Sequence, residues 1–478
     1  MRRIAIGLAA LATTLTAAAF AGGILQPSSA AAMGAPTFVP ADAIDPGDLS
    51  PCTRKHVPPR LRCGKMRLPY EAADPSLGSL PIAFAVRPRL DRSKPSRGAV
   101  IAVEGGPGYG SIGSARTYVN LLGERLDHRD LLVVDAPGTG ASRALDCRLL
   151  QSGRADDDTG VAACARSLGE RWHSYRTQVA ADNIDTIRKA LGYEDVQVYG
   201  DSYGTYLAQS YAFRHPDGLS ALVLDSAYPV RGESGWYPSV WRTGIRGLSI
   251  ACRRSTECHG DAGARLARFV KLLRKTKLGV GPLLNRIGAV GYSPPDSYLK
   301  LGAAISAYLR GNTAPYERMI APGRVGYGKP GAYSHGEELA VSCNDYPMIW
   351  DKAASYPERQ AQLLASVNSY PQDAFAPFTP AEIALSNDVL YRECLGAPVP
   401  NALYQPPVTA TMPAPDAPTL VVIGELDNVT SPAEGRATAA LFPNAETYLF
   451  RGGGHVASLY GRNNPGAKRI RAFLKLHG

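Results

Sequence analysis

The sequence predicts a mostly parallel β-sheet with helices on both faces and one large, mainly helical insertion. Strand and helix patterns alternate in the first half of the chain and again near its end, as they do where helices connect parallel strands. Between these parts, residues 229–415 break the alternation with helical segments, Pro-rich joints and four cysteines. The 478 residues, 45% hydrophobic and 20% charged, are enough to bury a large core.

Short apolar runs bounded by Pro and Gly predict the buried strands. These runs lie at 82–87, 99–103, 131–134, 196–199, 221–224, 419–423 and 447–450. Helices are predicted from apolar spacing: the apolar residues from Ala180 to Leu191 share one helical face, and Gly192 ends that helix. The predicted helices lie at 177–191, 264–273, 298–309, 336–341 and 432–441. One further helix follows the turn at 200–204 and ends at about 213, and the last helix begins at about 467.

These patterns predict one sheet domain formed by residues 52–228 and 416–478, with a cap domain at 229–415 inserted between the two parts. Two unrelated domains lying side by side are the alternative. The return of the strand–helix alternation after the insertion favours the single sheet domain.

The first 32 residues have the pattern of an export signal. Arg2 and Arg3 precede an uncharged stretch rich in Ala and Leu, and the alanines at 30–32 offer a cleavage site. Residues 33–51, rich in Pro, Ala and Asp, are predicted to form a flexible lead-in. We therefore expect a secreted protein, located outside the cell or in the cell envelope; an uncleaved membrane anchor is the alternative.

The eight cysteines agree with an oxidising destination, so we expect disulfide bonds. Their spacing leaves the pairing open, and joining sequence neighbours would give 52–63, 147–164, 252–258 and 343–394. Neither a Cys-x-x-Cys nor a His-x-x-His pair occurs, so we expect no structural metal site. No cofactor is implied.

The net charge of +10 is mild for this length and is not concentrated in long basic runs. This pattern argues against nucleic acid as a partner. A weak association with an anionic cell envelope stays open. We expect no stable membrane span, and the oligomeric state stays open.

Gly200-Asp201-Ser202-Tyr203-Gly204 matches the pattern Gly-x-Ser-x-Gly. A predicted strand runs into this motif and a predicted helix leaves it, and the glycines permit a sharp turn that lifts the serine hydroxyl above the sheet edge. The helix N-terminus favours negative charge that develops there. We therefore predict Ser202 as a catalytic nucleophile; a structural Gly-Ser turn is the alternative.

A serine nucleophile needs a base, and the base needs an acid that orients it. His455 follows the glycines at 452–454 just after a predicted strand, where a mobile catalytic histidine belongs, so it is the predicted base. The predicted acid is Asp427, which follows the preceding strand and keeps the chain order Ser, acid, His. Glu425 and Asp225 are rival acids.

A second glycine-rich turn supplies the remaining part of the expected site. Residues 105–108, Gly-Gly-Pro-Gly, follow a predicted strand, and their backbone N–H groups can approach a tetrahedral oxyanion. We predict the N–H groups of Gly106 and Tyr203 as the two oxyanion donors. A glycine turn without a role is the alternative, and a phosphate-binding loop is excluded because no Gly-Lys-Ser/Thr follows.

Together these motifs resemble those of the proline iminopeptidase and tripeptidyl aminopeptidase group of α/β-hydrolases, from about Cys63 to the C-terminus. The resemblance is carried by residues 105–108, 135–142, 200–205 and 453–455 and by Asp427. It implies the α/β-hydrolase fold, with a mostly parallel sheet, and a serine hydrolase that cleaves an N-terminal peptide bond through an acyl-enzyme.

The insertion resembles the cap of the secreted tripeptidyl aminopeptidase-like branch of that group, and the resemblance supports the 343–394 cysteine pair more than the other three. The chain departs from the group at two positions near the expected pocket. Glu104 stands where His or Asn is common, and Pro137 stands where the group has Arg. Two other functions therefore stay open: an ester, lipid or small-amide hydrolase on the same triad, and a secreted binding protein without catalysis.

An aminopeptidase must bind a free N-terminal ammonium group, and inside a covered pocket this charge needs a carboxylate partner. The sequence offers six candidate acids without ranking them: Glu104, Glu233, Glu337, Glu338, Asp345 and Glu393. The residue preference and the length of the released peptide also stay open.

Overall fold

The computed structural model describes residues 44–53, 57–93, 96–154, 157–232, 237–256, 258, 260–321, 326–384, 386 and 392–478. The predicted export signal at 1–32 and the first part of the predicted lead-in lie outside these residues.

The described part of the chain contains nine strands. They are β1 (Ser50–Pro51), β2 (Arg62–Pro69), β3 (Ser79–Arg87), β4 (Ala99–Val103), β5 (Asp130–Val134), β6 (Val196–Asp201), β7 (Leu219–Asp225), β8 (Thr419–Gly424) and β9 (Ala445–Phe450). All of them join one sheet in the order β1-β2-β3-β5-β4-β6-β7-β8-β9. The pairs β1–β2, β2–β3 and β3–β5 are antiparallel, and every later pair in that order is parallel.

Fifteen α-helices occur in the same residues. They are α1 (Ala115–Leu122), α2 (Arg148–Ser152), α3 (Asp157–Leu168), α4 (Thr177–Ala190), α5 (Tyr203–Arg214), α6 (Pro238–Arg253), α7 (Ala262–Leu273), α8 (Gly281–Ala289), α9 (Asp296–Leu309), α10 (Ala314–Ile320), α11 (His335–Asp345), α12 (Tyr356–Ser369), α13 (Pro380–Ile383), α14 (Pro432–Ala439) and α15 (Pro465–Leu476). The mostly parallel sheet with many helices confirms the predicted fold class.

The central strands are apolar along their whole length because helices cover both faces of the sheet. All five residues of β4 are buried. Its Ile101 and Val103 belong to a core that includes α4 and α5, whereas Val100 and Ala102 belong to a second core that includes α1 and α15. This two-sided burial explains why a continuous apolar run, rather than an alternating one, marks these strands.

β7 and β8 are neighbours in the sheet although the whole insertion separates them in sequence. Leu222 pairs with Thr419, and Asp225 pairs with Val422. The chain therefore leaves the sheet at the end of β7, forms α6–α13, and returns to the same sheet at β8. The boundaries predicted for the cap stay a prediction.

The end of the predicted lead-in is not an unstructured segment. Ser50 pairs with Cys63 in the sheet, and the N–H of Ile44 donates a hydrogen bond to the carbonyl of Ala190 at 2.7 Å. Residues 44–51 thus take part in backbone pairing beside the cysteine pair Cys52–Cys63, and the flexibility of the lead-in stays a prediction.

Four cysteine pairs lie at disulfide distance and leave no free cysteine among the described residues. The pairs are Cys52–Cys63, Cys147–Cys164, Cys252–Cys258 and Cys343–Cys394, with Cα–Cα distances of 5.0, 5.4, 5.0 and 5.2 Å. The expectation of disulfide bonds is confirmed, and each pair joins sequence neighbours.

None of the helices in the described ranges combines the length and the apolar character that a membrane span requires. Within the same ranges, no cluster of three or more His, Cys, Asp or Glu side chains has the arrangement of a metal site.

We expect the Cys343–Cys394 pair to contribute most to stability, because it spans 51 residues and a crosslink removes more entropy from the unfolded chain when the loop that it closes is longer. Changing both cysteines to Ala should lower the free energy of unfolding by up to about 4 kcal/mol, measured by denaturant titration. The matched control removes Cys252 and Cys258, which are six residues apart, and should cost about 2 kcal/mol less. Equal losses in the two double variants would contradict this expectation.

Candidate active site

Ser202 lies at a sharp turn between β6 and α5. Its φ of 53° and ψ of −127° are strained for a residue with a side chain, as expected where a nucleophile is held above a sheet. A Cβ at Gly200 would collide with the carbonyl of Gly204, and one at Gly204 would collide with the carbonyl of Val103. The two glycines of the motif therefore permit the close backbone packing that forms the turn.

The structure brings the three residues of the predicted triad together. His455 Nε2 lies 2.8 Å from Ser202 Oγ, and His455 Nδ1 lies 3.1 Å from Asp427 Oδ2. Only 3% of His455 and none of Asp427 is exposed. With the ring proton on Nδ1, His455 donates to the carboxylate and leaves Nε2 free to accept the serine proton.

Backbone and side-chain donors fix the orientation of Asp427. Its Oδ1 accepts the N–H groups of Val429 and Thr430, both at 2.9 Å, and its Oδ2 accepts the Thr430 hydroxyl at 2.8 Å. The second oxygen is thus shared between Thr430 and His455. A carboxylate held in this way can keep the imidazole in one tautomer and one orientation.

The rival acids have other partners. Glu425 accepts two hydrogen bonds from the Arg254 guanidinium, at 2.7 and 2.9 Å, and this ion pair lowers its pKa to about 2. Asp225 accepts the hydroxyl of Tyr199 at 3.1 Å, and burial raises its pKa to about 7. The carboxylate that accepts the hydrogen bond from His455 Nδ1 is therefore Asp427, the acid that the sequence favoured.

The insertion holds the loop that carries His455. The N–H of His455 donates to the carbonyl of Gly291 at 2.8 Å. The neighbouring Tyr292 packs its ring edge-to-face against the imidazole, with ring centres 5.3 Å apart. Residues between α8 and α9 thus position the base, a contact that the sequence pattern did not indicate.

The Gly-Gly-Pro-Gly loop packs directly on the serine. A Cβ at Gly105 would lie 2.6 Å from Ser202 Cβ, so only glycine allows this approach. Gly106 has a φ of 116°, a region that favours glycine, and it lines a cavity together with Ser202. Tyr203 is the first residue of α5, where helical N–H groups lack intrahelical acceptors. The roles of Gly106 and Tyr203 as oxyanion donors stay a prediction.

A cavity of about 330 Å³ opens beside Ser202. Its wall includes five aromatic residues, and most of the lining comes from the insertion and the segment just before it. The aromatic lining residues are Tyr228, Tyr237, Trp241, Tyr292 and Tyr346. Sequence reasoning missed these residues, since they have no common spacing along the chain.

Two acids also line this cavity. Glu338, one of the six candidates, accepts hydrogen bonds from the Tyr333 hydroxyl and from His335 Nδ1, the latter at 2.6 Å. Glu434, which sequence reasoning missed, caps its own helix through Ser431. A carboxylate has about four acceptor positions, so Glu338 retains capacity for a further donor.

The other candidate acids lie elsewhere. Glu337 is buried, burial raises its pKa well above the ordinary value, and it is not among the residues that line the cavity. Asp345 accepts a backbone N–H at 2.6 Å, and Glu104 accepts a tyrosine hydroxyl at 2.8 Å. Glu393 is absent from the cavity wall that the described residues form, and Glu233 lies outside those residues.

Comparison with known proteins gives the same fold. A family model described as α/β hydrolase fold matches residues 98–243, and one described as TAP-like protein matches residues 381–476. Over 204 residues the chain is 25% identical to a tripeptidyl aminopeptidase of Streptomyces lividans, covering 38% of each chain. It is 28% identical over 211 residues to the serine protease Hip1 of Mycobacterium bovis, covering 38% of this chain and 39% of the relative.

A third relative, the proline iminopeptidase of Neisseria meningitidis, is 29% identical over 154 residues, covering 30% of this chain and 40% of its own. The class that the sheet topology and the matched family model define is the α/β-hydrolase fold. Within that class, the chain resembles the tripeptidyl aminopeptidase and proline iminopeptidase group, as the motifs predicted. The chain spans less than half the length of the curated relatives it matches.

Proposed function

We propose that this chain is an exported serine aminopeptidase that releases residues or short peptides from the N-terminus of a peptide. The observation that carries the proposal is the row of hydrogen bonds from Asp427 through His455 to Ser202, which ends at a cavity whose wall includes Glu338. The row supplies a nucleophile with its base, and the acid supplies a partner for a substrate ammonium group.

In the first half of the reaction, Ser202 Oγ attacks the carbonyl carbon of the scissile bond while its proton passes to His455 Nε2. Asp427 stabilises the imidazolium that forms. The N–H groups of Gly106 and Tyr203 stabilise the negative oxygen of the tetrahedral intermediate. The intermediate collapses when His455 returns the proton to the leaving nitrogen, which departs as a free amine and leaves an acyl-enzyme.

In the second half, His455 takes a proton from water as the water oxygen attacks the acyl-enzyme. The second tetrahedral intermediate collapses by breaking the bond to Ser202 Oγ, which regains its proton from His455. The released product carries the new carboxyl group, and the enzyme returns to its starting state. The chain's own residues supply every proton transfer in these steps.

The cavity wall supports a substrate with a free amino terminus and apolar side chains. The Glu338 carboxylate can pair with the ammonium group, and the aromatic faces of Tyr237 and Trp241 can add cation–π attraction. The same aromatic residues fit apolar side chains better than charged ones. Glu434 is a second carboxylate on the same wall.

A location outside the cytoplasm is part of the proposal. The four cysteine pairs support it, because disulfide bonds persist in secreted and envelope proteins and are rare in the cytosol. The export-signal pattern of the first 32 residues agrees with this location. A weak association with an anionic envelope follows from the net charge of +10.

An ester, lipid or small-amide hydrolase on the same triad is the second candidate, and the aromatic cavity wall favours it where the acyl group is apolar. A library of free peptides, matched with esters of the same acyl groups, separates the two when the products are read by mass spectrometry. The aminopeptidase proposal predicts products shortened only from the N-terminus. Cleavage of the esters without cleavage of the free peptides, or cleavage inside peptides, would contradict it.

A further inference from the structure

We propose that Glu104, Asp201 and Tyr118 form a cluster that holds one proton and positions the Gly-Gly-Pro-Gly loop against Ser202. The inference rests on the proposed serine hydrolysis at Ser202 and adds positioning residues to it. It assigns a role to two acids that the triad does not use.

The cluster is defined by two hydrogen-bond contacts of one buried phenol. Tyr118, on α1, has its hydroxyl oxygen 2.8 Å from Glu104 Oε2 and 3.0 Å from Asp201 Oδ1. No part of Tyr118 and only 2% of Asp201 is exposed. Glu104 is half-buried at the end of β4. The single hydroxyl therefore connects the ends of β4 and β6.

Counting the hydrogens available to these contacts leads us to place one proton on the pair of carboxyl groups. A phenol carries one hydrogen and can donate it to one acceptor only, and an ionised carboxylate cannot donate. With both acids ionised, one of the two short oxygen–oxygen contacts would contain no hydrogen, and two negative charges would face each other away from water. One proton on either acid satisfies both contacts. Burial, and next the nearby Glu104, raise the pKa of Asp201 well above its ordinary value, in agreement with this count.

The cluster acts on the site through adjacent residues. Glu104 directly precedes Gly105, and Asp201 directly precedes Ser202. The backbone N–H of Gly105 interacts with the Asp201 carboxyl group, and Gly105 packs against Ser202. The pair of acids thus ties the loop that carries the Gly106 donor to the turn that carries the nucleophile.

Loss of the proton should slow the reaction. A second negative charge would then lie close to the place where the negative oxyanion develops, and like charges repel most strongly where water is excluded. It would also break one of the contacts that hold the loop to the turn. We therefore expect kcat, rather than KM, to fall on the alkaline side as the cluster loses its proton.

Other titratable groups face the cluster from the elements around it. Asp225 at the end of β7, with its pKa of about 7, and Tyr199 of β6 act on the buried acids. Tyr460, which follows β9, also interacts with Asp201, and Tyr109 interacts with Glu104. A test must separate the cluster from Asp225, which also interacts with His455.

The test compares pH profiles of kcat and KM for the wild type, Glu104→Gln and Asp225→Asn. The amide introduced by Glu104→Gln cannot ionise, so that variant never gains the second charge, and its alkaline fall of kcat should move up by about 1 pH unit or more. Asp225→Asn removes a charge that raises the pKa of Asp201, so in that variant the alkaline fall should move the opposite way, to lower pH. The matched control is Glu446→Gln, an exposed change of the same charge on β9, which should follow the wild type. Coinciding profiles for the wild type and Glu104→Gln would overturn the inference.

Tyr118→Phe gives a second, conservative variant. It removes the bridging hydroxyl and keeps the ring, and it should lower kcat on the order of 10-fold with little change in KM, less than the ~100-fold for losing an oxyanion donor. An unchanged kcat would also overturn the inference. Activity that survives Ser202→Ala would instead overturn the proposed function, whereas Ser202-dependent activity with unshifted profiles would overturn the cluster alone.

Discussion

Ser202→Ala is expected to lower kcat by about 10⁶-fold, because no other group can form the acyl-enzyme at this position. His455→Ala should lose a similar factor, and Asp427→Asn about 10⁴-fold, since the amide would favour the wrong imidazole tautomer. The three side chains form one hydrogen-bonded row, so their losses should not add. Double variants should be hardly worse than Ser202→Ala alone.

These rates are measured on a good substrate, with the thermal midpoint of each variant taken as a check of folding. Ser220→Ala is the matched control, because Ser220 lies near the start of β7, far from the strand ends where the site lies, and its hydroxyl donates a hydrogen bond to Asp195. It should keep wild-type turnover. Normal turnover in Ser202→Ala, or additive losses in the double variants, would contradict the proposed mechanism.

N-acetylation of a good peptide substrate is expected to lower kcat/KM at least about 100-fold, because the acid in the cavity then loses its charged partner. Glu338→Gln should remove most of this difference in kcat/KM between the free and the acetylated peptide, because it weakens cleavage of the free peptide. The matched control is Glu337→Gln, at the residue before Glu338 on α11, because Glu337 is buried and is not among the residues that line the cavity. That variant should discriminate as the wild type does.

The outcomes separate the two candidate functions. Equal cleavage of acetylated and free peptides, or of simple esters, would exclude an aminopeptidase and favour the esterase or an endopeptidase. Discrimination that survives in Glu338→Gln would show that another acid binds the amine. Glu434 would then be the next residue to change, since it lines the same cavity.

The hydrogen-bonded row of the three proposed triad residues could be predicted from sequence because each member follows a strand whose apolar run is easy to recognise. Ser202, Asp427 and His455 follow β6, β8 and β9 in the chain order of this fold. Parallel strands end at one edge of the sheet, so residues far apart in sequence meet there. The glycines around Ser202 added a local signal, since the turn leaves no room for side chains.

The cavity and the buried acid cluster could not be predicted in the same way. Glu338 was one of six equal candidates until α11 placed it on the wall of the cavity that Ser202 also lines, and Tyr292 reaches His455 only through tertiary packing. Helices α6, α8, α10 and α12 in the insertion were not predicted. Each has Pro in its first turn, and Pro in the sequence was interpreted as part of a connection between helices. The contacts of Tyr118 join β4, β6 and α1, which no local pattern connects.

The most direct test of the central claim is labelling of the mature protein with a fluorophosphonate probe, followed by intact mass and peptide mapping. The account predicts one adduct per chain, located on Ser202, formed in step with the loss of activity and absent from Ser202→Ala. The wild type should label far faster than His455→Ala, because the base activates the hydroxyl. A protein that forms no adduct, or that carries the adduct on a residue other than Ser202, would contradict the account.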